Sequence, residues 1–152
     1  MSIDLSAAIR PFREAEFAWE DVPCRPYKET GDALFRAISR RVLFAEPALG
    51  CELRYFEVAP GGYSTLERHE HMHAVMILRG HGRCLLGDQV RVVKPFDLIS
   101  IPSWTWHQFR ATEEETLGFL CMVNATRDRP QLPSEQELAA LRSDPDISAF
   151  LG

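Results

Sequence analysis

Four of the five histidines in the sequence fall into two groups: three follow one glutamate within six residues, and the fourth lies further along the chain. His69, His71 and His73 alternate along the chain just after Glu67, and His107 follows 34 residues after His73. A buried polar group without a partner costs about 1–3 kcal/mol, so this density indicates that the imidazoles bind something. Glu67, His69, His73 and His107 would offer three nitrogens and one oxygen to a first-row divalent metal. The spacing therefore predicts a metal site with a catalytic role.

The types of ligand limit the candidate metals but do not identify one. One carboxylate and three imidazoles suit Mn(II), Fe(II), Ni(II) or Zn(II), and the order of affinities does not choose among them. A structural zinc site with thiolate ligands is disfavoured, because no cysteine is among these residues. Four protein ligands would leave two positions of an octahedral ion open for a substrate. The alternative is a set of polar interior residues in a protein that has lost its metal.

Two more residues are candidates for chemistry beside the metal. His71 is expected in a second layer or at the mouth of the site, as a candidate proton donor. Cys121 follows His107 by one strand, and a hairpin centred on residues 113–115 would set it across from that histidine. A thiol beside a divalent cation has a lowered pKa and becomes a nucleophile. The alternative for Cys121 is a core position, since free cysteine is among the most buried residue types.

Length and composition limit the class of protein. The 152 residues are 45% hydrophobic and 26% charged, which is typical of one globular domain. A net charge of −5 without a long basic run disfavours nucleic acid and anionic membranes as partners. The first residues lack the basic and apolar parts of a signal peptide, and no apolar run is long enough to span a membrane, so we expect a cytoplasmic protein. The four cysteines form no CxxC pair, which favours reduced thiols.

The residues that must position these side chains form short β-like runs. We predict strands at 34–38, 42–44, 52–58, 74–78, 83–86, 89–93, 97–101, 106–110 and 117–123. Turn residues separate the runs, among them the sequence at 60–62, Pro-Gly-Gly. Many short strands at regular spacing predict a sandwich or small barrel, and the lack of long helical patterns between them disfavours βαβ units. If the strand after Glu67 stayed regular, its alternate residues would all face inward.

The two ends of the chain differ from this middle part. Residues 1–32 contain three prolines and no clear periodicity, so we predict an irregular N-terminal arm with at most one helical turn. Residues 33–124 are expected to form the barrel, and residues 125–152 a helical tail, all within one domain. In the tail, Ser134 and Glu137 form a capping box that opens a helix over 135–142. Asp144 with proline after it begins a second helix through Phe150, and both helices are expected to cover an end or open face of the barrel.

Residues 61–110 resemble the two motifs of the cupin superfamily. In the first motif, an HxH pair is followed by a glutamate ligand and then by a glycine. Starting that motif at His69 would put the glutamate position on Val75 or its neighbour, and neither binds metal. Counting back from Gly80 instead makes Glu67, His69 and His73 the ligands, with carboxylate and imidazole exchanged relative to the commoner order. The resemblance implies an all-β fold, the cupin double-stranded β-helix or jelly-roll barrel, with a metal held inside.

The second cupin motif is less complete. Gly87, Pro95 and Pro102 resemble its turn framework, and His107 occupies its ligand position. Asp97 stands where the family often has glycine, and Ala111 stands where it often has asparagine. These differences make the match to the second motif weaker, but its ligand histidine is present.

Three longer stretches are similar to a bacterial cupin subfamily, the 1-methylthio-D-xylulose 5-phosphate methylsulfurylases. They are RHEHMHAVMILRGHG, PFDLISIPSWTWHQFRA and GFLCMVNATRDRPQLP. This resemblance implies Mn(II) as the metal, a sugar phosphate as substrate, glutathione as thiol cosubstrate and 1-deoxy-D-xylulose 5-phosphate as product. Arg54, Arg68 and Arg110 are candidates for binding the phosphate, with no choice made among them.

Other functions of the cupin fold stay open at this point. The chain can be an Fe(II) thiol or small-molecule dioxygenase, a non-catalytic sugar-binding cupin, or an isomerase or aminohydrolase. Cupins of this size resemble dimers more often than monomers, which favours a homodimer. In that homodimer the apolar pair Leu34-Phe35 can supply an exchanged or edge strand.

Overall fold

The β-like runs of the sequence become the strands of one curled antiparallel sheet. The structure, a computed structural model, describes residues 7–26 and 35–152. Its strands are β1 Phe12–Arg13, β2 Ala18–Trp19, β3 Arg25–Pro26, β4 Arg36–Phe44, β5 Cys51–Tyr63, β6 His73–Arg79, β7 Gly82–Leu86, β8 Gln89–Val93, β9 Leu98–Ile101, β10 His107–Ala111 and β11 Leu117–Asn124. A 3-10 turn covers Pro47–Leu49, and two helices follow the barrel, α1 Glu135–Arg142 and α2 Pro145–Leu151.

The strand order explains how the sheet closes around a core. Neighbouring strands run β8-β7-β10-β5-β11-β6-β9, and β4 pairs with β5. The first part of β5 pairs with β11 along residues 51–58, whereas Tyr63 near its end pairs with Arg110 of β10. The single strand β5 therefore belongs to both halves of the curled sheet. This architecture confirms the predicted all-β jelly-roll class.

Alternation of side chains directs one face of each strand inward. Phe119 of β11 pairs with Phe56 on one side and with Ile77 on the other. All three side chains are buried, and the rings of Phe56 and Phe119 stack with centroids 5.5 Å apart. Burying each of these side chains contributes about 1.5–3 kcal/mol. Two residues further along β11, the same inward row reaches Cys121.

Two predicted boundaries are wrong in the first half of the barrel. The runs at 34–38 and 42–44 belong to one strand, β4, and Leu34 lies outside the described residues. The predicted turn at 60–62 lies inside β5. Gly61 takes a φ of 73° there and donates its backbone N–H to the carbonyl of Thr112 at 2.8 Å. Glycine at this left-handed position lets the strand bend without ending.

The N-terminal arm, predicted to be irregular with at most one helical turn, contains a small hairpin within its described residues 7–26. β1 and β2 pair, with Phe12 opposite Trp19. Phe17 and Trp19 lie against the ring of Tyr55, with centroid distances of 5.5 and 5.3 Å. Tyr55 is an outward-facing residue of β5, and the hairpin buries it completely. The arm therefore covers the outer face of the central strand.

The C-terminal helices follow the prediction closely. The side chain of Ser134 accepts from the backbone N–H of Glu137, whose carboxylate accepts from the backbone N–H of Ser134. The second helix begins after Asp144 and buries Ile147 and Phe150 against the barrel. Both helices are short, and within residues 7–26 and 35–152 no helix is long and apolar enough to cross a membrane.

Two glycines with similar backbone angles should respond differently to alanine. Gly50 has a φ of 66° with open space around its missing side chain, and Gly80 has a φ of 75°. An added methyl at Gly80 would collide with the backbone of Thr116. We expect Gly50→Ala to cost about 1–2 kcal/mol, the price of a left-handed residue with a side chain. Gly80→Ala should lower the free energy of unfolding by several kcal/mol more, and equal losses in urea unfolding would contradict this prediction.

Candidate functional site

The histidine segment bends instead of continuing as a strand. Glu67 pairs with His107 through two backbone hydrogen bonds, 3.2 and 3.0 Å long. The chain then bends at Glu70 and His71, and β6 begins only at His73. A regular strand after Glu67, which would have turned all four residues inward, does not form. Asp128, from a distant part of the chain, stabilises the bend by accepting the backbone N–H groups of Glu70 and His71 at 2.7 and 3.0 Å.

The bend gathers three of the predicted ligands. One nitrogen from each of His69, His73 and His107 lies within 4.8 Å of the other two. The ring of His69 lies 4.6 Å from that of His73 and 4.9 Å from that of His107. His69 and His107 are 1% and 4% exposed, so the cluster is held inside the barrel.

In His69 and His107 a hydrogen bond from Nδ1–H leaves Nε2 as the available nitrogen. Nδ1–H of His69 donates to the carbonyl of His71 at 2.6 Å, and Nδ1–H of His107 donates to the carbonyl of Thr105 at 2.9 Å. Each of these two rings then presents Nε2 as a lone pair. Nε2 of His69 and Nε2 of His73 are buried without a hydrogen-bond partner. Buried lone pairs that converge in this way fit a divalent metal.

Glu67 lies beside the cluster. Its side chain is 7% exposed, and its backbone is directly opposite His107. Side chains of directly opposed residues in an antiparallel pair project on the same side. The structure therefore brings three imidazoles together and places Glu67 next to them through its pairing with His107. Its role as an oxygen ligand stays a prediction.

Cys121 also reaches the site, by a different route from the predicted hairpin. β10 and β11 are not neighbours, because β5 lies between them. Cys121 instead pairs with Val75 of β6, the strand that begins with His73. Its Sγ lies 3.1 Å from Nδ1 of His73 and 3.8 Å from Nη2 of Arg54. The predicted closeness to the histidines holds, although the predicted strand pairing is wrong.

The surroundings of Cys121 act on its thiol in opposite directions. Burial raises the pKa of Cys121, and the guanidinium of Arg54 lowers it. For His73, whose charged form is the protonated one, burial lowers the pKa, and the neighbouring rings of His107 and His69 lower it further. The interior therefore favours neutral imidazoles, which are the form that binds a metal.

His71 lies beside the group of three histidines and has a partner that the sequence did not reveal. Its ring stacks on His69 with centroids 3.6 Å apart, and its Nδ1 lies 2.6 Å from Oδ1 of Asp128. The backbone N–H of Glu70 and of His71, together with the His71 ring, lower the pKa of Asp128. A cavity of about 530 Å³ opens beside this pair and is lined by polar side chains that include Ser103 and Thr126.

Only one of the three arginine candidates faces the site. Arg68 pairs with Glu137 of α1 at 2.8 Å, and Arg110 donates to the carbonyl of Leu151 at 2.9 Å, so both hold the C-terminal helices. Arg54 points inward and is 7% exposed. Among the described residues it forms no ion pair with a carboxylate, and its Nε has no hydrogen-bond acceptor. A buried guanidinium beside the histidines is thus the main cation of the interior.

The lowered pKa values of the buried histidines predict how the stability of the metal-free protein changes in acid. Burial lowers the pKa of His107 from 6.5 to about 4, and that of His69 is also lowered. Between these values the unfolded chain binds protons that the folded chain does not, so stability is present above pH 6.5 and is lost as the pH falls towards 4. Thermal unfolding in a chelator should show a falling Tm over this range, and His107→Gln should flatten the fall. An unchanged slope in that variant would contradict the assignment.

Comparisons with known proteins agree with this geometry. Over 144 residues, 93% of this chain and 92% of the relative, the sequence is 57% identical to a Rhodospirillum rubrum protein named 1-methylthio-D-xylulose 5-phosphate methylsulfurylase. A crystal structure of a cupin 2 conserved barrel domain protein from Rhodopseudomonas palustris matches with a TM-score of 0.89 and 55% identity, covering 94% of this chain and 98% of that one.

A second crystal structure, of a cupin-2 domain from Rhodospirillum rubrum, matches with a TM-score of 0.85 and 56% identity, covering 94% of this chain and 95% of that one. The family described as cupin domain matches residues 54–123, which run from β5 to β11 and contain all four predicted ligands. The resemblance inferred from the two motifs is therefore confirmed, and the chain belongs to the cupin family.

Proposed function

We propose that this cupin is a metal-dependent methylsulfurylase. It transfers the methylthio group of 1-methylthio-D-xylulose 5-phosphate to glutathione and releases 1-deoxy-D-xylulose 5-phosphate. The named relative supports the choice of substrate. The structural observation that carries the proposal is the contact between Cys121 and His73, which puts a thiol 3.1 Å from a ring of the histidine cluster.

The residues that would hold the metal are His69, His73 and His107 through Nε2, with Glu67 as an oxygen ligand. Mn(II) is the preferred ion, and Fe(II), Ni(II) and Zn(II) suit the same donors. When bound, the ion would act as a Lewis acid that polarises the C2 carbonyl of the sugar. The neutral state that burial gives these rings keeps their lone pairs available at neutral pH.

Cys121 performs the first bond exchange in this proposal. Its thiolate attacks the methylthio sulfur, forming an S–S bond as the bond between that sulfur and C1 breaks. C1 leaves with the bonding pair, which delocalises into the adjacent carbonyl, and a proton then adds to C1. The side chain of Arg54 favours this step, because a guanidinium beside the sulfur stabilises the thiolate.

Glutathione completes the cycle by thiol–disulfide exchange. Its thiolate attacks the methylthio sulfur of the Cys121 methyl disulfide, and Cys121 leaves as a thiolate. The proton of the glutathione thiol balances the one that C1 received. The products are the deoxy sugar phosphate and a mixed disulfide of methanethiol and glutathione.

His71 is the proposed proton donor for C1. Asp128 accepts from its Nδ1–H, so the proton that moves is the one on Nε2. The stack on His69 keeps the His71 ring beside the metal ligands. The polar cavity next to His71 gives a sugar phosphate room to enter.

The test is a turnover assay on protein saturated with Mn(II), with the sugar phosphate and glutathione, followed by NMR. We expect product from the wild type and from Cys84→Ser, a variant of another buried cysteine, and none from Cys121→Ser. Equal turnover by Cys121→Ser would remove Cys121 from the mechanism. If no protein forms product, the substrate is wrong, and oxygen uptake by the Fe(II)-loaded protein then tests for a dioxygenase.

A further inference from the structure

His73 differs from the other two histidines of the cluster in what holds its ring. His69 and His107 each donate Nδ1–H to a backbone carbonyl close in sequence. His73 has a sulfur atom at that position, because the polar contact of its Nδ1 is with Sγ of Cys121. Its Nε2, on the opposite side of the ring, is buried without a hydrogen-bond partner and is the nitrogen left for a metal.

The sulfur is itself held in place by the central strand. Arg54 lies directly opposite Cys121 in the pairing of β5 with β11, and Val75 lies opposite it on β6. Nη2 of Arg54 is 3.8 Å from Sγ, and a guanidinium can only donate. The sulfur is therefore an acceptor in that contact, and it can accept Nδ1–H of His73 in the same way.

We propose that Cys121 is a positioning residue for metal binding. Its sulfur accepts Nδ1–H of His73 and so fixes the tautomer and the direction of Nε2, in the manner of the two carbonyls behind His69 and His107. The positioning role rests on the metal site of the proposed function and does not require the methylthio chemistry, whereas the effect of loading Cys121 requires both. The ligand that the site takes is a divalent cation, and the residue acts on it only through His73.

This arrangement links the state of the sulfur to the metal. A residue that orients a ligand in this way typically contributes 10–100-fold to metal affinity. Once the sulfur carries a methylthio group it is a poorer acceptor, so His73 loses part of its support. Loading of Cys121 therefore weakens the hold of the protein on its metal, and regeneration of the thiol restores it.

The experiment measures Mn(II) affinity by the signal of free Mn(II) in electron paramagnetic resonance, without sugar phosphate or glutathione. Cys121→Val removes the acceptor while filling the space, and we expect it to bind Mn(II) about 10–100-fold more weakly than the wild type. Cys121→Ser keeps an acceptor and should retain most of the affinity. The matched control is Cys84→Val, because Cys84 is equally buried and its Sγ donates to the carbonyl of Leu85 within its own strand.

Wild-type affinity in Cys121→Val overturns the proposal, as does a wild type that binds no Mn(II). If Cys121→Val does not fold, Cys121→Ala gives the same comparison without extra volume in the core. A charge-transfer band from sulfur to metal in the Co(II)-loaded wild type, absent from Cys121→Ser, would make Cys121 a direct ligand and also overturn the proposal. Weaker binding by Cys121→Val together with no turnover of the sugar phosphate supports this inference while refuting the proposed substrate.

Discussion

His107→Ala will lower the affinity for Mn(II) by more than about 100-fold, because it removes a ligand and not merely a residue that orients one. His107 is held from two sides, by its pairing with Glu67 and by the Thr105 carbonyl on Nδ1, so the fold fixes the position of its ring. Equilibrium dialysis followed by metal analysis measures the loss. A bound metal also stabilises the fold, so Mn(II) should raise the Tm of the wild type and leave that of His107→Ala unchanged.

The control for this prediction is the histidine outside the cluster. His81 is exposed, pairs with Glu115 at 2.7 Å and does not belong to the group of His69, His73 and His107. His81→Ala should bind Mn(II) as the wild type does. Equal affinities in all three proteins would show that the cluster is not the metal site.

Arg54→Met will make the protein more stable and less active. Methionine keeps much of the volume of arginine and removes a buried charge that has no carboxylate partner among the described residues. Replacing buried charges by apolar side chains can stabilise a protein by about 1–4 kcal/mol. In a chain of this length each kcal/mol raises Tm by about 2–4 °C. Loss of the guanidinium beside Cys121 should lower turnover at least about tenfold, since charge-assisted hydrogen bonds contribute about 1.5–3 kcal/mol.

Arg41→Met provides the matched comparison for Arg54→Met. Arg41 is half-buried on the neighbouring strand and is paired with Glu57 at 2.9 Å. Its replacement leaves that carboxylate with less compensation, so the Tm should fall. A fall of similar size in both variants would show that Arg54 stabilises the fold, contrary to the prediction.

The parts of the fold that local sequence determines could be predicted. The capping box at Ser134 and the proline after Asp144 set the helix boundaries through contacts within four residues. His69, His73 and His107, which cluster in the structure, could be selected together with Glu67 because spacing and donor type limit the alternatives. The helix boundaries depend on neighbouring residues alone, whereas the choice of His107 depended on its position in the second cupin motif.

The parts that failed depend on residues that are distant in sequence. The bend at His71 is stabilised by Asp128, 57 residues later, and nothing in the sequence near either residue indicates the contact. The hairpin between β10 and β11 was expected because adjacent strands usually pair. In this fold β5 separates them, and β11 pairs instead with β6, which brings Cys121 next to His73. The role of Arg54 was open for the same reason, since its partners become clear only when β5 and β11 are aligned.

Because β5 belongs to both halves of the sheet, it limits how the protein can unfold locally. This strand pairs with β4, β11 and β10, and it carries Arg54 in one half of the sheet and Tyr63 in the other. Its amide hydrogens can exchange with solvent only when both halves separate, so they should exchange at the rate of global unfolding. Because Cys121 and His107 lie on two of its partner strands, β11 and β10, the thiol and the histidine cluster are lost together in that event. Partial unfolding therefore cannot leave a metal site without its thiol.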